Sequence, residues 1–298
     1  MDKTTLWTFS NEPQSLQEMC LDPSIKAKLE KALVEMPNLM LSGPPGIGKG
    51  TFTNIFLRTT GVDYIKINAS DENNVDTVRT KIKAFATALG FAATKKYVIL
   101  NEMDALSVNA QWAIRDLQES VQSITRFIYM CNYEQKIIPE IISRCQCVSL
   151  NSPPPKDIYM FLQGILKKEK VVLESKEDLV ALIKSYYPDI RRMINTLQLN
   201  TVNGKISHVT LDKANTIYDE ILKAMLEHDL DTIRKILRSN MIMYPDLYQH
   251  LFDNVDQFKS PGDAIIEIGN ALYRSSIVAI QEINFLAMVA RMMRDGVI

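Results

Sequence analysis

The run Leu39-Met40-Leu41-Ser42-Gly43-Pro44-Pro45-Gly46-Ile47-Gly48-Lys49-Gly50-Thr51 decides the fold. Its first three apolar residues read as a short buried strand that stops at a glycine-rich turn, and Thr51 to Thr59 reads as a helix. Strand, glycine-rich loop and helix in that order make a phosphate cradle. Successive backbone N–H groups close around the anion, glycines let the backbone approach, and the helix N-terminus adds partial positive charge. Lys49 then supplies a point charge for the β and γ phosphates. The candidate ATP-binding residues are Gly43, Pro45, Gly46, Ile47, Gly48, Lys49, Gly50 and Thr51. The end of the loop departs from the usual Gly-Lys-Ser/Thr, whose hydroxyl coordinates Mg²⁺. Gly50 stands at that position and the hydroxyl arrives one residue late, on Thr51, which becomes a candidate metal-site residue acting through water.

Working outward, Tyr64 to Asn68, Tyr97 to Leu100, Phe127 to Met130 and Cys147 to Leu150 are further short apolar runs bounded by polar residues, and read as strands. Asn74 to Leu89 and Val108 to Val121 have helical patterns between them. Strands alternating with helices require right-handed crossovers, which gives an α/β domain with a parallel sheet and helices on both faces. Ligands of such sheets bind beyond the carboxyl ends of the strands. Pro153-Pro154-Pro155 breaks the alternation, and from Lys156 onward only helical spacing remains. A weaker break at Asn203-Gly204 divides that helical part. The expected domains are 1–150, nucleotide-binding; 151–205, a helical lid; and 206–298, an all-α domain.

Composition excludes several classes. Of 298 residues 46% are apolar and 23% charged, which fits a globular chain and not a disordered or low-complexity one. Lysine and arginine number 34 against 35 acidic residues, a net charge of −1, so contact with nucleic acid or anionic lipid must be local. The start, MDKTTLWTFSNEP, has no apolar leader core, and no run of about 18 apolar residues occurs, so an intracellular protein without a membrane span is expected. Cys20, Cys131, Cys145 and Cys147 fit neither zinc-ligand spacing nor Cys-x-x-Cys, and read as reduced packing residues.

The second chemical signal is Tyr97-Val98-Ile99-Leu100-Asn101-Glu102, an apolar strand ending in Asn-Glu where a hydrolytic ATPase of this kind ends in Asp-Glu. The first carboxylate organises the metal's waters and the second polarises the attacking water. Glu102 is therefore the candidate base. Asn101 keeps an oxygen toward the metal, through water, without the charge. The Gly-Lys-Gly-Thr ending also resembles the loop of adenylate-kinase-type nucleotide kinases, so that reading stays open on the loop alone.

Further motifs extend the pattern in order over roughly residues 38–198: Ile67-Asn68-Ala69-Ser70-Asp71-Glu72 with Val75 to Arg79; Gln111-Trp112-Ala113-Ile114-Arg115 with Glu119; Cys131-Asn132; Ser143-Arg144-Cys145; and Pro188-Asp189-Ile190-Arg191-Arg192. On these residues the chain resembles the clamp-loader AAA+ ATPases, among them the small subunits of replication factor C. The more loosely matched collar, Asp219 to Leu237, Tyr273 to Ser276 and the last helix through Ile283, Leu286 and Met293, looks most like that of the T-even bacteriophage clamp-loader large subunit. The resemblance implies a AAA+ domain, a helical lid and an all-α collar. It makes Asn132 the first sensor, holding the attacking water, and Arg191 the second, reaching the γ-phosphate from the lid. Arg144 becomes an arginine finger that enters the neighbouring subunit's site. Gln111 and Arg115 would relay DNA contact to Glu102, and DNA would be gripped by backbone contacts from helix N-termini near Asn73 to Arg79, Asn74 and Arg79 among them, and Val108 to Gln111, without base readout. Trp7 to Glu18 resembles the family's stretch beside the adenine, with Pro13, Leu16 and Glu18 fitting and Asn11-Glu12 standing where Tyr-Arg is common. Adenine contacts are expected from Thr8, Phe9, Ser10 and Asn11.

The resemblance further implies ATP and Mg²⁺ as ligands, and a sliding clamp, primer-template DNA and other clamp-loader subunits, in a pentamer, as partners at the replication fork. Because Gly50 and Asn101 both lack metal-organising groups, a subunit whose own site is weak or inert, yet lends Arg144 to a neighbour, is the principal alternative. A nucleotide kinase is the lesser one.

Overall fold

The computed structural model describes residues 6–69, 75–87, 95–207, 209, 213–240, 242–275 and 277–298, and their side chains except at 75–79, 87 and 213–216. Two compact units emerge, Met1–Val209 and Thr210–Ile298.

In the first unit α1 (Trp7–Ser10) and α2 (Pro23–Glu35) precede β1 (Leu39–Ser42), α3 (Lys49–Thr60), β2 (Tyr64–Asn68), α4 (Val75–Thr87), β3 (Lys96–Asn101), α5 (Val108–Val121), β4 (Thr125–Cys131), α6 (Pro139–Ile142) and β5 (Gln146–Ser149). The strands form one parallel sheet in the order β2-β3-β4-β1-β5. The central strands are apolar throughout because helices cover both their faces. Side chains alternate between the faces with period two. Leu39 and Leu41 pack with Leu29 of α2 and Phe52 and Phe56 of α3. Met40 turns the other way, into the cluster of Ile82 from α4 and Ile114 and Leu117 from α5. The edge strands β2 and β5 carry the polar positions, as expected where one side of the ladder meets water.

Beyond the prolines come α7 (Pro155–Lys168), β6 (Val172–Leu173), α8 (Lys176–Tyr186), α9 (Ile190–Leu199) and β7 (Lys205–Ile206). The purely helical expectation misses the parallel pair β6–β7, whose two-residue strands are too short to show a period in sequence. Helix α9 lies against α1, and the Trp7 backbone N–H donates to Gln198 Oε1 at 2.8 Å.

The second unit consists of α10 (Lys213–Leu226), α11 (Leu230–Ser239), α12 (Tyr244–Asp253), α13 (Pro261–Ser275) and α14 (Gln281–Arg294) among its described residues. Its core is built from Ile221, Met225, Leu247, Tyr248, Phe285 and Met288. Buried Asn284 is satisfied by donating to Tyr248 Oη at 3.0 Å and to the Ala271 carbonyl at 2.8 Å. No described helix is long and apolar enough to cross a membrane. The α/β sheet followed by helices is thus the fold read from the sequence.

Two glycines should respond oppositely to alanine. At Gly43, where φ is +143°, an added Cβ would lie 2.5 Å from the Leu150 carbonyl oxygen, so Gly43→Ala should cost about 1–3 kcal/mol. Gly164, inside α7, would place its Cβ in open space, and Gly164→Ala should stabilise by about 0.5–1 kcal/mol. Urea unfolding of both variants checks the pair of signs.

Candidate nucleotide-binding site

The parallel register aligns the strand ends that carry the site. Ser42 stands opposite Cys131 and Ser149, and Asn68 opposite Asn101. Between β1 and α3 the loop turns through Gly46 and Gly48 at φ +73° and +109°, backbone that a side chain rarely tolerates. Gly48 is the residue from which α3 starts, so the helix's first N–H groups face the loop.

Lys49, the first helical residue, is the centre of this arrangement. Its Nζ donates to the carbonyls of Gly43 at 2.6 Å and Pro44 at 2.9 Å and to Asn132 Oδ1 at 2.8 Å. An ammonium has three donors, so all are engaged. Any phosphate oxygen that binds Lys49 must replace one of these acceptors. Burial pulls the Lys49 pKa down, since the charged form has left water. Asn132 is held in turn by Asp104, whose Oδ2 accepts from the backbone N–H groups of Asn132 at 3.2 Å and Tyr133 at 3.1 Å. Asp104 escaped the sequence reading, although an acid two residues past Glu102 was the available signal. Glu102 itself is exposed at the sharp turn ending β3, in left-handed backbone at φ +54°. Such a conformation costs a non-glycine residue about 1 kcal/mol and is held by its neighbours.

Two clefts flank the loop. The first, of about 580 Å³, is bordered by Thr8, Asn11, Pro13, Cys20, Phe161 and Ile190. The second, of about 1180 Å³, has Lys49, Gly50, Lys66, Asn101, Glu102 and Asn132 on its walls. Gly46, Ile47, Gly48 and Arg191 border both, so a base in the first and phosphates in the second would be joined across the loop beside Arg191. Asp189, whose Oδ1 accepts from the Arg192 N–H at 3.0 Å and so caps α9, closes directly on Gly46. A Cβ on Gly46 would lie 1.8 Å from that oxygen. Glycine is therefore demanded there twice, by the loop's φ and by the approach of α9.

The first cleft mixes apolar walls, Ile47, Phe161, Ile190 and Ile194, with polar residues, of which Asn11 is the buried one. Asn11 is 8% exposed; its Nδ2 donates to Glu169 Oε1 at 2.6 Å and to the Trp7 carbonyl at 3.2 Å. Those bonds fix the amide's orientation, and its buried Oδ1 accepts no hydrogen bond among the described residues. Of the four residues expected beside adenine, Thr8 and Asn11 border this cleft; Phe9 is 69% exposed and the Ser10 hydroxyl donates to Glu169 at 3.0 Å. Phe161 and Ile190, contributed by α7 and α9, were not legible as cleft walls because nothing local marks them. Burial pushes the Cys20 thiol up to about 11, which keeps it neutral and inert.

The donors expected for Mg²⁺ separate. Neighbouring helical residues are turned by about 100°. Gly50 borders the second cleft beside Asn101, whereas Thr51 borders the first. Glu102 is the one carboxylate on the second cleft's described wall, and no three described His, Cys, Asp or Glu residues gather as a metal set. These residues do not fit a divalent ion held by protein ligands.

The residues expected to couple DNA and neighbours lie on α5 and after α6. Gln111 is wholly buried; its Nε2 donates to the carbonyls of Leu106 at 3.2 Å and Lys136 at 2.9 Å, and its Oε1 accepts from the Ile138 N–H at 2.9 Å. It is a clamp between two loops. Arg115 pairs with Asp116 at 2.6 Å and lies 5.6 Å from the Trp112 ring centroid. Arg144 borders neither cleft of its own chain; at the surface its Nε and Nη2 donate to Glu119 Oε1 at 3.1 and 2.5 Å, and its Nη1 donates to the Glu140 carbonyl at 2.7 Å. Asn74 and the side chain of Arg79 lie outside the described residues.

Residues 39–151 match the family described as ATPase family associated with various cellular activities (AAA). The chain is 33% identical over 255 residues to the replication factor C small subunit of Staphylothermus marinus, covering 80% of this chain and 76% of that one. To the replication factor C small subunit of Sulfurisphaera tokodaii it is 30% identical over 315 residues, covering 98% and 96%. Among solved structures, a RuvB variant from Thermotoga maritima superposes with a TM-score of 0.56 at 17% identity, covering 80% of this chain and 85% of that chain, which is a likeness of fold. The chain belongs to the replication factor C small subunit family of AAA ATPases.

Proposed function

We propose that this chain is one subunit of an ATP-driven loader that opens a sliding clamp and sets it on primer-template DNA. Membership of the family supports clamp-loader-type ATPase function in general terms, with ATP and Mg²⁺ as the family's usual ligands. The observation that carries the finer reading is the division of cationic groups. Lys49 and Arg191 border the phosphate cleft, while Arg144 stands on the outer surface, away from both clefts of its own chain. A site built for a triphosphate and an arginine that cannot serve it at home fit an assembly in which each nucleotide lies between two subunits.

In that assembly Lys49 and the loop's N–H groups hold the phosphates. Glu102 polarises the water, and Asn132, held by Asp104, positions it. Arg144 neutralises charge on a neighbour's transferred phosphoryl group. Arg191 ties lid position to nucleotide, since α9 also brings Asp189 onto the loop. The first unit would act as ATPase and lid and the second as collar. DNA would be held by backbone contacts near Asn74 and Arg79 and sensed through Gln111 and Arg115, without base readout. A second reading, in which this chain's own site turns over weakly and its role is to lend Arg144, is favoured by Gly50 and Asn101 on the cleft wall.

With co-purified partners, ATP turnover should rise on adding clamp and primer-template DNA. Lys49→Ala should abolish binding at this site, and Glu102→Gln should retain binding while cutting this site's turnover by about 10²-fold or more. Arg144→Ala should cut the neighbouring site by about 10³-fold. Turnover that ignores Lys49→Ala and Glu102→Gln but falls with Arg144→Ala selects the second reading. A monomer whose turnover ignores clamp and DNA contradicts both.

The unengaged Asn11 Oδ1 fits the exocyclic amine of adenine and meets an acceptor in guanine. Asn11→Leu should therefore reduce the preference for ATP over GTP by about 5–10-fold, the worth of one hydrogen bond of about 1 kcal/mol. Competition binding of the two nucleotides reads the ratio.

A further inference from the structure

The phosphate cleft has a third cationic residue that the reaction scheme above does not use. Lys66 is the middle residue of the edge strand β2. Lysines on edge strands ordinarily extend into water and keep the edge from pairing. Lys66 is instead held in place: its Nζ donates to Asn54 Oδ1 at 2.7 Å and lies 5.6 Å from the Tyr64 ring centroid. The Asn54 amide is fixed from its other end, where Nδ2 donates to Glu12 Oε1 at 2.8 Å. Glu12 borders the first cleft and Lys66 the second, so the chain Glu12–Asn54–Lys66 runs from one to the other.

Asn54 lies four residues after Gly50 on α3, and residues four apart share a helix face. The ammonium is thus presented one turn along from the position where a metal-binding hydroxyl would stand. A Cβ added at Gly50 would meet nothing within 4 Å, so the hydroxyl's place is open. Asn101, the other position from which a metal is organised, brings a neutral amide to the same wall. The described wall therefore carries Lys49, Lys66 and Arg191 against the single carboxylate of Glu102. A divalent ion arriving with the phosphates would find, among the described residues, the carboxylate of Glu102 alone and a nearby ammonium. A triphosphate alone would find three cations. Lysine suits the role because its ammonium is a compact charge with three donors that can leave a neutral amide for a charged oxygen.

We propose that Lys66, held by Asn54 and Glu12 at the face of α3 that carries Gly50, supplies the charge that a divalent cation supplies elsewhere, so that this cleft binds nucleoside triphosphate without a metal. The proposal rests on the reading of the cleft as a nucleotide site, and its test separates the two. Binding of ATPγS to the full chain is measured by calorimetry in Mg²⁺ and in EDTA. The dissociation constant should change by less than about threefold between the two buffers. Lys66→Met, an exposed substitution, should weaken binding by at least about tenfold in EDTA, and Lys66→Arg should restore most of it. Gly50→Thr combined with Asn101→Asp should make binding tighter in Mg²⁺ than in EDTA. Wild-type binding at least about tenfold weaker in EDTA, or indifference to Lys66→Met, would overturn the proposal while leaving the nucleotide site intact. No binding in either buffer, or binding that survives Lys49→Ala, would overturn the site itself and the proposal with it.

Discussion

The Lys49 ammonium is the interaction on which the site depends. It is bonded at once to two carbonyls of the loop after β1 and to the side chain at the end of β4, and so it joins two neighbouring strand ends through one charge. Burial makes that charge expensive to leave without partners, which is why all three of its donors are engaged. The loop can offer the two carbonyls only because its glycines accept left-handed backbone, and Asn132 can offer its amide only because Asp104 holds the chain on either side of it. A triphosphate that bound here as proposed would exchange one of these acceptors on a cation already in place.

Helix α9 is part of the same constraint. Asp189 caps α9 and rests on Gly46, and two residues later Arg191 borders both clefts. A movement of the loop at Gly46 is therefore a movement of the N-terminus of α9. Such a linkage is what lets occupancy of a phosphate site change the position of a domain, because a ligand shifts an equilibrium only by contacting its states differently. At the surface the Arg144–Glu119 pair is half exposed, and exposed pairs are worth about 0–1 kcal/mol. Its grip on Arg144 is weak enough for a stronger anion to replace it.

Much of this was legible in the sequence, for identifiable reasons. The central strands were visible because burial on both faces leaves short, uniformly apolar runs, and the loop because its glycines and Lys49 serve a local geometry. Gln111 was visible as a residue and not as a structure. A glutamine on a helix looks solvated until the Ile138 N–H and the Lys136 carbonyl, about 25 residues away, are brought to it. The walls of the first cleft from α7 and α9, and the Glu12–Asn54–Lys66 chain, were hidden for the same reason. Each is made by side chains distant in sequence, whose types are unremarkable until the fold sets them side by side.

The most direct test of the account is a structure of the assembled protein with ATPγS bound. Lys49 Nζ should then lie within about 3 Å of a phosphate oxygen, having given up at least one loop carbonyl, with Arg191 on the same phosphates and the partner's Arg144 released from its own Glu119 to meet them. A triphosphate bound elsewhere, with Lys49 still saturated by Gly43, Pro44 and Asn132 and every Arg144 still paired within its own chain, would contradict it.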